Sequence, residues 1–539
     1  MKTKFLLFFV FAFALVLAAC SGDDNTESTK KESKSASDNM LIYARGADSV
    51  GLDPINVTDG ESIRVTHNIF ETLFYYDENL ELQPKLAASY EVSEDGLTFT
   101  VKLREDVNFQ DGTPFNAEAV VYNFNRWMDP ENPAHTGGDF TYYSFLFGGF
   151  KGDEGHKLEA VTAIDDYTVE FKLKQKIAPF VSYLAIPMLS IGSPTAIEAD
   201  PEGFSQHPVG TGPFNFEKWE ANNTISVVKN EDYYVEGQPK LDGIIFKVVP
   251  DNSARMNQLL TGEVDLAEGI NTSDASQIEA QDGLSIYNRP SFNMSYMAFN
   301  TEKEPLKDVR VRQAISQAID KDLLVDSFYD GFAETAKNPM PSSLWGYNDS
   351  LEDYVYDVEA SKKLLADAGY ADGLELNLYA MSNSRPYMAQ PMKIAEVIQS
   401  DLAKIGIKVN IVSYEWATYL EEGSQGKHDL MLMGWTGVMA DPDNFLFPNL
   451  HSSNATVPAS NYAFYQNPQF DALIEQAREE YDQDKRAELY EQAQKIFHED
   501  IPWYMIAHTT PPVAVADYVK GLTLHPMEID DYAKVSIEK

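Results

Sequence analysis

The sequence predicts an α/β protein of more than one domain-sized unit, on three observations. The part that begins near residue 40 is rich in short strands with period-two alternation and Gly-containing turns. From about residue 290, helices stopped by glycine alternate with short apolar strands. The last forty residues turn strand-like again, which returns the chain to its first lobe. A chain of 539 residues, 44% hydrophobic and 12% aromatic, has the length and the apolar surface for about two to four such units.

The chain opens with Met1-Lys2-Thr3-Lys4 and fourteen apolar residues from Phe5 to Ala18, the pattern of a signal peptide and too short to span a bilayer comfortably. Leu17-Ala18-Ala19-Cys20 resembles a bacterial lipobox, in which cleavage precedes the cysteine and its thiol carries a diacylglycerol. Cys20 is the only cysteine, so it has no internal disulfide partner. Ser21 to Asp38 is Ser/Thr/Asp/Lys-rich with a single Ala as its only apolar residue, and reads as a flexible tether.

Ordered sequence starts near Met40 with a strand at Leu41–Ala44. Tyr90–Val92 and Leu97–Leu103 flank the turn Ser93-Glu94-Asp95-Gly96 as a hairpin. Asn116 is placed to cap a helix running to Trp127. Asp165-Asp166-Tyr167 followed by Thr168–Leu173 repeats the hairpin pattern. Strands are predicted over Ile225–Lys229 and Ile244–Val249, and Asp251, Glu263, Asp265 and Glu268 are read as a solvated acidic face.

Further on, helices are predicted over Glu359–Ala368, Pro391–Ile405 and Trp416–Glu422, and strands over Leu374–Ala380, Lys408–Val412 and Leu430–Met433. This is the grammar of βαβ units and a mainly parallel sheet. Two amphipathic helices, Pro468–Tyr481 and Asp484–Glu499, precede strands at Pro512–Ala516 and Leu522–His525.

Chemistry-bearing motifs are sparse. The nine histidines are scattered without metal-ligand spacing, no nucleophile elbow occurs, and Gly210-Thr211-Gly212 lacks the ending of a phosphate loop. No catalytic residue, metal site or cofactor is expected. The formal charge of −42 repels phosphate backbones, so no nucleic-acid partner is expected either, and the acidity is read as a solvated surface.

In an open parallel sheet, ligands bind beyond the carboxyl ends of the strands. Two loops qualify: Met381 to Tyr387, after the strand ending at Ala380, and Gly434 to Phe445, after the strand ending at Met433. Arg385 offers a planar fork for a carboxylate. Trp435 offers a rigid apolar wall, and Asp441 or Asp443 offers a carboxylate for a cation. The competing readings are a structural ion pair for Arg385, core packing for Trp435, and turn capping around Pro442 for the two aspartates.

Across nearly all of the mature chain the sequence resembles the family 5 solute-binding proteins of peptide and nickel ABC importers, closest to the dipeptide-receptor branch. The motifs that carry the resemblance, in order, are Gly51-Leu52-Asp53-Pro54, Ser93 to Gly96 leading into Leu103 to Phe109, Asp111 to Ala117, Val209 to Phe214, Pro305-Leu306 with Val309 to Ala314, Leu344 to Asp349, Arg385-Pro386-Tyr387, and Gly434-Trp435-Thr436-Gly437.

The resemblance implies a periplasmic-binding-protein-like fold of type II (cluster C): two lobes with mixed sheets around a ligand cleft. Its implied division is a signal peptide at 1–19, the lipidated Cys20 and tether at 20–38, and a first lobe with an extra β-rich subdomain at 39–289. A second lobe spans 290–508, and 509–539 returns to the first. The implied function is a non-enzymatic receptor, monomeric and lipid-anchored at Cys20 on the outer face of a Gram-positive-type membrane. It would deliver a peptide-like solute to an ABC permease and ATPase.

By the same resemblance, Arg385 takes the ligand carboxylate, and Tyr387, Trp435 and Thr436 belong to the ligand site. The dipeptide branch carries Asp, for the ligand ammonium, where this chain has Val438. Asp441 replaces it only if the loop is rearranged. The ligand is then a dipeptide or oligopeptide, a γ-linked peptide such as glutathione, or another carboxylated solute. A nickel chelate or haem is the alternative cargo, and a peptide-sensing or chaperone-like surface protein the alternative role.

Overall fold

The strand expected at Leu41–Ala44 spans Met40–Arg45. In the computed structural model, which describes residues 39–539, it lies at the centre of a seven-stranded sheet. The signal peptide, Cys20 and the tether lie outside the described residues. Gly243–Val248 and Leu266–Ala267 pair with this strand in parallel on either side. Pro512–Ala516 pairs antiparallel with Leu266–Ala267 and with Leu284–Asn288, so the chain's C-terminal part completes the sheet that its first ordered strand begins. Leu522–His525, expected as a strand, is irregular. It packs through its side chains instead, and the His525 ring donates to the carbonyls of Tyr76 and Asp77.

A separate four-stranded antiparallel sheet holds both predicted hairpins, in the order Ala87–Val92, Thr98–Leu103, Thr168–Leu173, Leu158–Asp165. Gly96, at φ +73°, supplies the left-handed turn residue of the first hairpin. Asn116 Oδ1 accepts from Ala119 N at 3.0 Å, starting the helix Ala117–Met128. That helix lays Phe124 edge-on against Phe171 at 5.0 Å.

The third sheet has six strands, ordered Ala333–Thr335, Trp503–Thr509, Asn293–Phe299, Leu430–Thr436, Leu374–Met381, Ile407–Tyr414. Only the last three run parallel to one another, joined through the helices Pro391–Ala403 and Trp416–Ser424. The other three add on antiparallel, so the sheet is mixed where a mainly parallel one was expected. Asn293–Phe299 and Trp503–Thr509 are buried along their whole lengths. A strand covered on both faces shows no alternation to betray it in sequence.

The acidic face expected around residue 265 also differs. Asp251 caps the helix Asn252–Leu260 and Glu263 is exposed, but Asp265 and Glu268 are buried beside the strand Leu266–Ala267. Asp265 accepts from Ile42 N at 2.7 Å and from Tyr518 Oη at 2.6 Å. Glu268 meets Arg64 at 2.9 Å, Arg289 and the Tyr43 hydroxyl. Burial opposes its ionisation, and the two guanidinium groups outweigh burial to hold it at about 2.

Candidate functional site

The strands Leu374–Met381 and Leu430–Thr436 are parallel neighbours, with Leu378 opposite Leu430 and Tyr379 opposite Met431. Their carboxyl ends therefore open on one edge of the sheet, and the two loops picked out in the sequence emerge side by side.

The first loop is stiff. Arg385 N donates to Met388 O at 3.0 Å and Met388 N returns to Arg385 O at 2.9 Å, closing a four-residue turn with Pro386 at its second position. Thr509 Oγ1 pins the Pro386 carbonyl at 2.9 Å, and Ser384 Oγ pins that of Ala389 at 2.6 Å. The turn drives the buried Tyr387 ring onto Gly434: a Cβ there would lie 2.2 Å from Tyr387 Cδ2. Glycine at the head of the second loop is thus what lets the loops meet. Burial pushes the Tyr387 phenol up, and the nearby Arg385 charge offsets part of that rise.

Arg385 makes no side-chain hydrogen bond and no ion pair among the described residues, so the structural ion pair weighed for it is absent. Its Nε is buried without a partner, while its Nη nitrogens remain open to solvent. The guanidinium carbon sits 3.7 Å from the centroid of Trp416. A guanidinium in the loop beyond a strand's carboxyl end, without a protein carboxylate beside it, has the planar geometry to pair with one.

In the second loop, Trp435 is half-buried at the end of its strand, opposite Met294, and Thr436 is half-buried opposite Asn293. Asn444 organises the residues between them and Asp441, its Oδ1 accepting from Val438 N at 2.9 Å and lying 3.5 Å from Trp435 Nε1. Val438 is half-buried and brings no charge.

The aspartates are already engaged. Asp441 is 3% exposed and both its oxygens go to Arg486, at 2.7 and 2.8 Å; its Oδ1 also caps Asp443 N at 2.9 Å. Asp443 meets Arg478 Nε at 3.1 Å and accepts from the Tyr183 hydroxyl at 3.2 Å. Burial raises the Asp441 carboxyl and Arg486 pulls against it. The loop has not rearranged to bring Asp441 into the place of the missing acid. The reason is Arg486, reaching in from the helix Gln483–Asp500.

The structure thus puts the two loops in contact through Tyr387 and Gly434, sets Trp435, Thr436 and Val438 along the second loop and Arg385 in the first, and turns Asp441 inward. Sequence reasoning missed Trp416 and Asn444 as members of this edge. Trp416 comes just after the third parallel strand, Ile407–Tyr414, so the rule that found the other two loops also points to it. Chemically the edge offers a guanidinium stacked on an indole. The carboxylates of the second loop are both engaged, while Glu415, next to Trp416, is exposed and unpaired among the described residues.

A family model described as "Bacterial extracellular solute-binding proteins, family 5 Middle" matches residues 81–457. The chain is 36% identical to heme-binding protein A of Haemophilus influenzae, over 98% of each chain. It is also 36% identical to the dipeptide-binding protein of Escherichia coli, over 92% of this chain and 94% of that one. An ABC transporter-associated periplasmic binding protein of Helicobacter pylori, solved with the peptide STSA, superposes with a TM-score of 0.84 at 34% identity, covering 93% of this chain and 98% of that one. That match gives the chain the two-lobed type II binding-protein fold. The chain belongs to the bacterial extracellular solute-binding proteins of family 5.

Proposed function

We propose that the protein is a monomeric receptor, lipid-anchored through Cys20 on the outer face of a Gram-positive-type membrane. It captures a peptide-like, carboxylate-bearing solute and passes it to an ABC permease and ATPase. The observation that carries the reading is Arg385, a guanidinium without a protein anion at the carboxyl edge of a parallel sheet. The names of its relatives support the peptide class. The mechanism is binding, lobe closure and docking, without covalent chemistry. A haem-binding relative of equal identity supports a second reading, a cargo that is not a peptide.

A thermal-shift screen against dipeptides, oligopeptides, glutathione, haem and a nickel chelate tests both. Peptides or glutathione are expected to raise the melting temperature, and Arg385→Ala to abolish the rise without lowering the melting temperature of the free protein. A rise that survives Arg385→Ala overturns the assignment of the site, and a rise with haem alone overturns the peptide class. Radiolabelled palmitate incorporation that persists in Cys20→Ser would overturn the anchor.

A further inference from the structure

Trp416 owes its place to strand register. Met381 pairs with Tyr414, so the chain leaving the strand Ile407–Tyr414 reaches the sheet edge level with the loop that carries Arg385. The helix Trp416–Ser424 starts two residues later and sets the indole beneath the guanidinium at 3.7 Å. Trp416 is itself held: its ring lies 16° from parallel with Tyr419, at 6.0 Å. The Tyr419 hydroxyl, fully buried, lies 3.1 Å from the carbonyl of Tyr379 and 2.5 Å from that of Leu432, one on each of the two strands that deliver the candidate loops. A continuous packed path therefore runs from both strands through Tyr419 and Trp416 to Arg385.

Resting on the carboxylate reading of Arg385, we propose that Trp416 is a positioning residue that fixes the Arg385 guanidinium before ligand arrives and so sets discrimination between a carboxylate and a neutral group. An arginine on a loop otherwise has many rotamers to lose on binding, a cost that prior immobilisation removes. The indole covers one face of the guanidinium, and Nε is buried and unpartnered, a cost to the free protein. A carboxylate that meets the two Nη nitrogens end-on accepts two parallel hydrogen bonds, whereas a carboxamide offers one acceptor oxygen and sets its own N–H against a donor.

The test uses full-length protein and calorimetry with di- to tetrapeptides, each as free acid and as C-terminal amide. The wild type is expected to prefer the acid by about thirtyfold. Trp416→Leu is expected to weaken acid binding by about tenfold and leave amide binding unchanged, with Trp416→Phe recovering most of the preference. Exchange of the 15N-labelled Arg385 Nε–H, read without ligand, is expected to be slow in the wild type and in Trp416→Phe and fast in Trp416→Leu. If the wild type does not distinguish acid from amide, the carboxylate reading falls and this inference with it. If Arg385→Ala removes the preference but Trp416→Leu keeps it, the carboxylate reading stands and the inference is wrong. Equal losses for acid and amide, or unchanged Nε–H exchange in Trp416→Leu, reduce Trp416 to general packing and also overturn it.

Discussion

Arg486 grips Asp441 through both carboxylate oxygens, at 2.7 and 2.8 Å, beneath the loop that carries Trp435. The two residues are 45 positions apart and both are buried. Arg486→Met leaves an uncompensated carboxylate in the interior and is expected to cost about 3–5 kcal/mol. Urea unfolding at neutral pH measures it. A loss below about 1 kcal/mol would mean that water reaches Asp441 in the folded protein.

Gly434 is the point where the two candidate loops touch. Gly434→Ala puts a methyl group against the Tyr387 ring and the Met294 carbonyl, and about 1–3 kcal/mol of destabilisation is expected. Tyr387→Ala vacates the ring but not the carbonyl, so a double-mutant cycle should show partial rescue, coupled by about 1 kcal/mol or more. Additive losses would mean that the carbonyl contact decides the cost.

Val438 leaves the second loop without an unpaired carboxylate, since Asp441 and Asp443 are held by Arg486 and Arg478. Val438→Asp is expected to improve binding of ordinary dipeptides by about tenfold and to leave their N-acetylated forms unimproved. Calorimetry on the two peptide forms checks this, and equal effects on both would show that residue 438 does not face the amine end.

His428 is fully buried, with Nε2 donating to Tyr462 O at 2.7 Å and Nδ1 unpartnered. Burial pushes it down to about 4, helped by the Lys303 charge. The unfolded chain takes up this proton near pH 6.5, so the contribution of His428 is whole above that pH and erodes as pH falls towards 4. His428→Gln keeps a donor for Tyr462 O without the titration. The stability difference between pH 7.5 and 4.5 should therefore shrink by about 2–3 kcal/mol relative to wild type. An unchanged difference would show that His428 charges in the folded state without penalty.

Legibility in the sequence tracks the locality of the forces. The Asn116 cap, the glycine turn at Gly96 and the three parallel strands are each decided within a few residues, and each is found within about two or three residues of its expected bounds. The antiparallel strands Asn293–Phe299 and Trp503–Thr509 are decided by burial on both faces, and the local pattern overstates the parallel character of their sheet for that reason. At the site, Arg385, Tyr387 and Trp435 are readable because strand ends are predictable. The engagement of Asp441 is not, because an ion pair between distant segments leaves no mark on the local pattern. Glu268 reads as solvated for the same reason, since its partners Arg64 and Arg289 come from other elements.

The Tyr183 hydroxyl lies between Asp443 Oδ2 at 3.2 Å and Arg478 Nη2 at 3.0 Å. Tyr183 comes after the four-stranded sheet, whereas Asp443 closes the loop that begins at Gly434. Any movement that draws these parts of the molecule apart takes from Asp443 and Arg478 a partner they share. The conformation of the loop is therefore coupled to the separation of these parts. Under the proposed receptor function, a solute that steadied the loop would favour their approach, and by reciprocity whatever separated them would loosen the solute. A permease that received such a solute would then need only to pull on the receptor's outside.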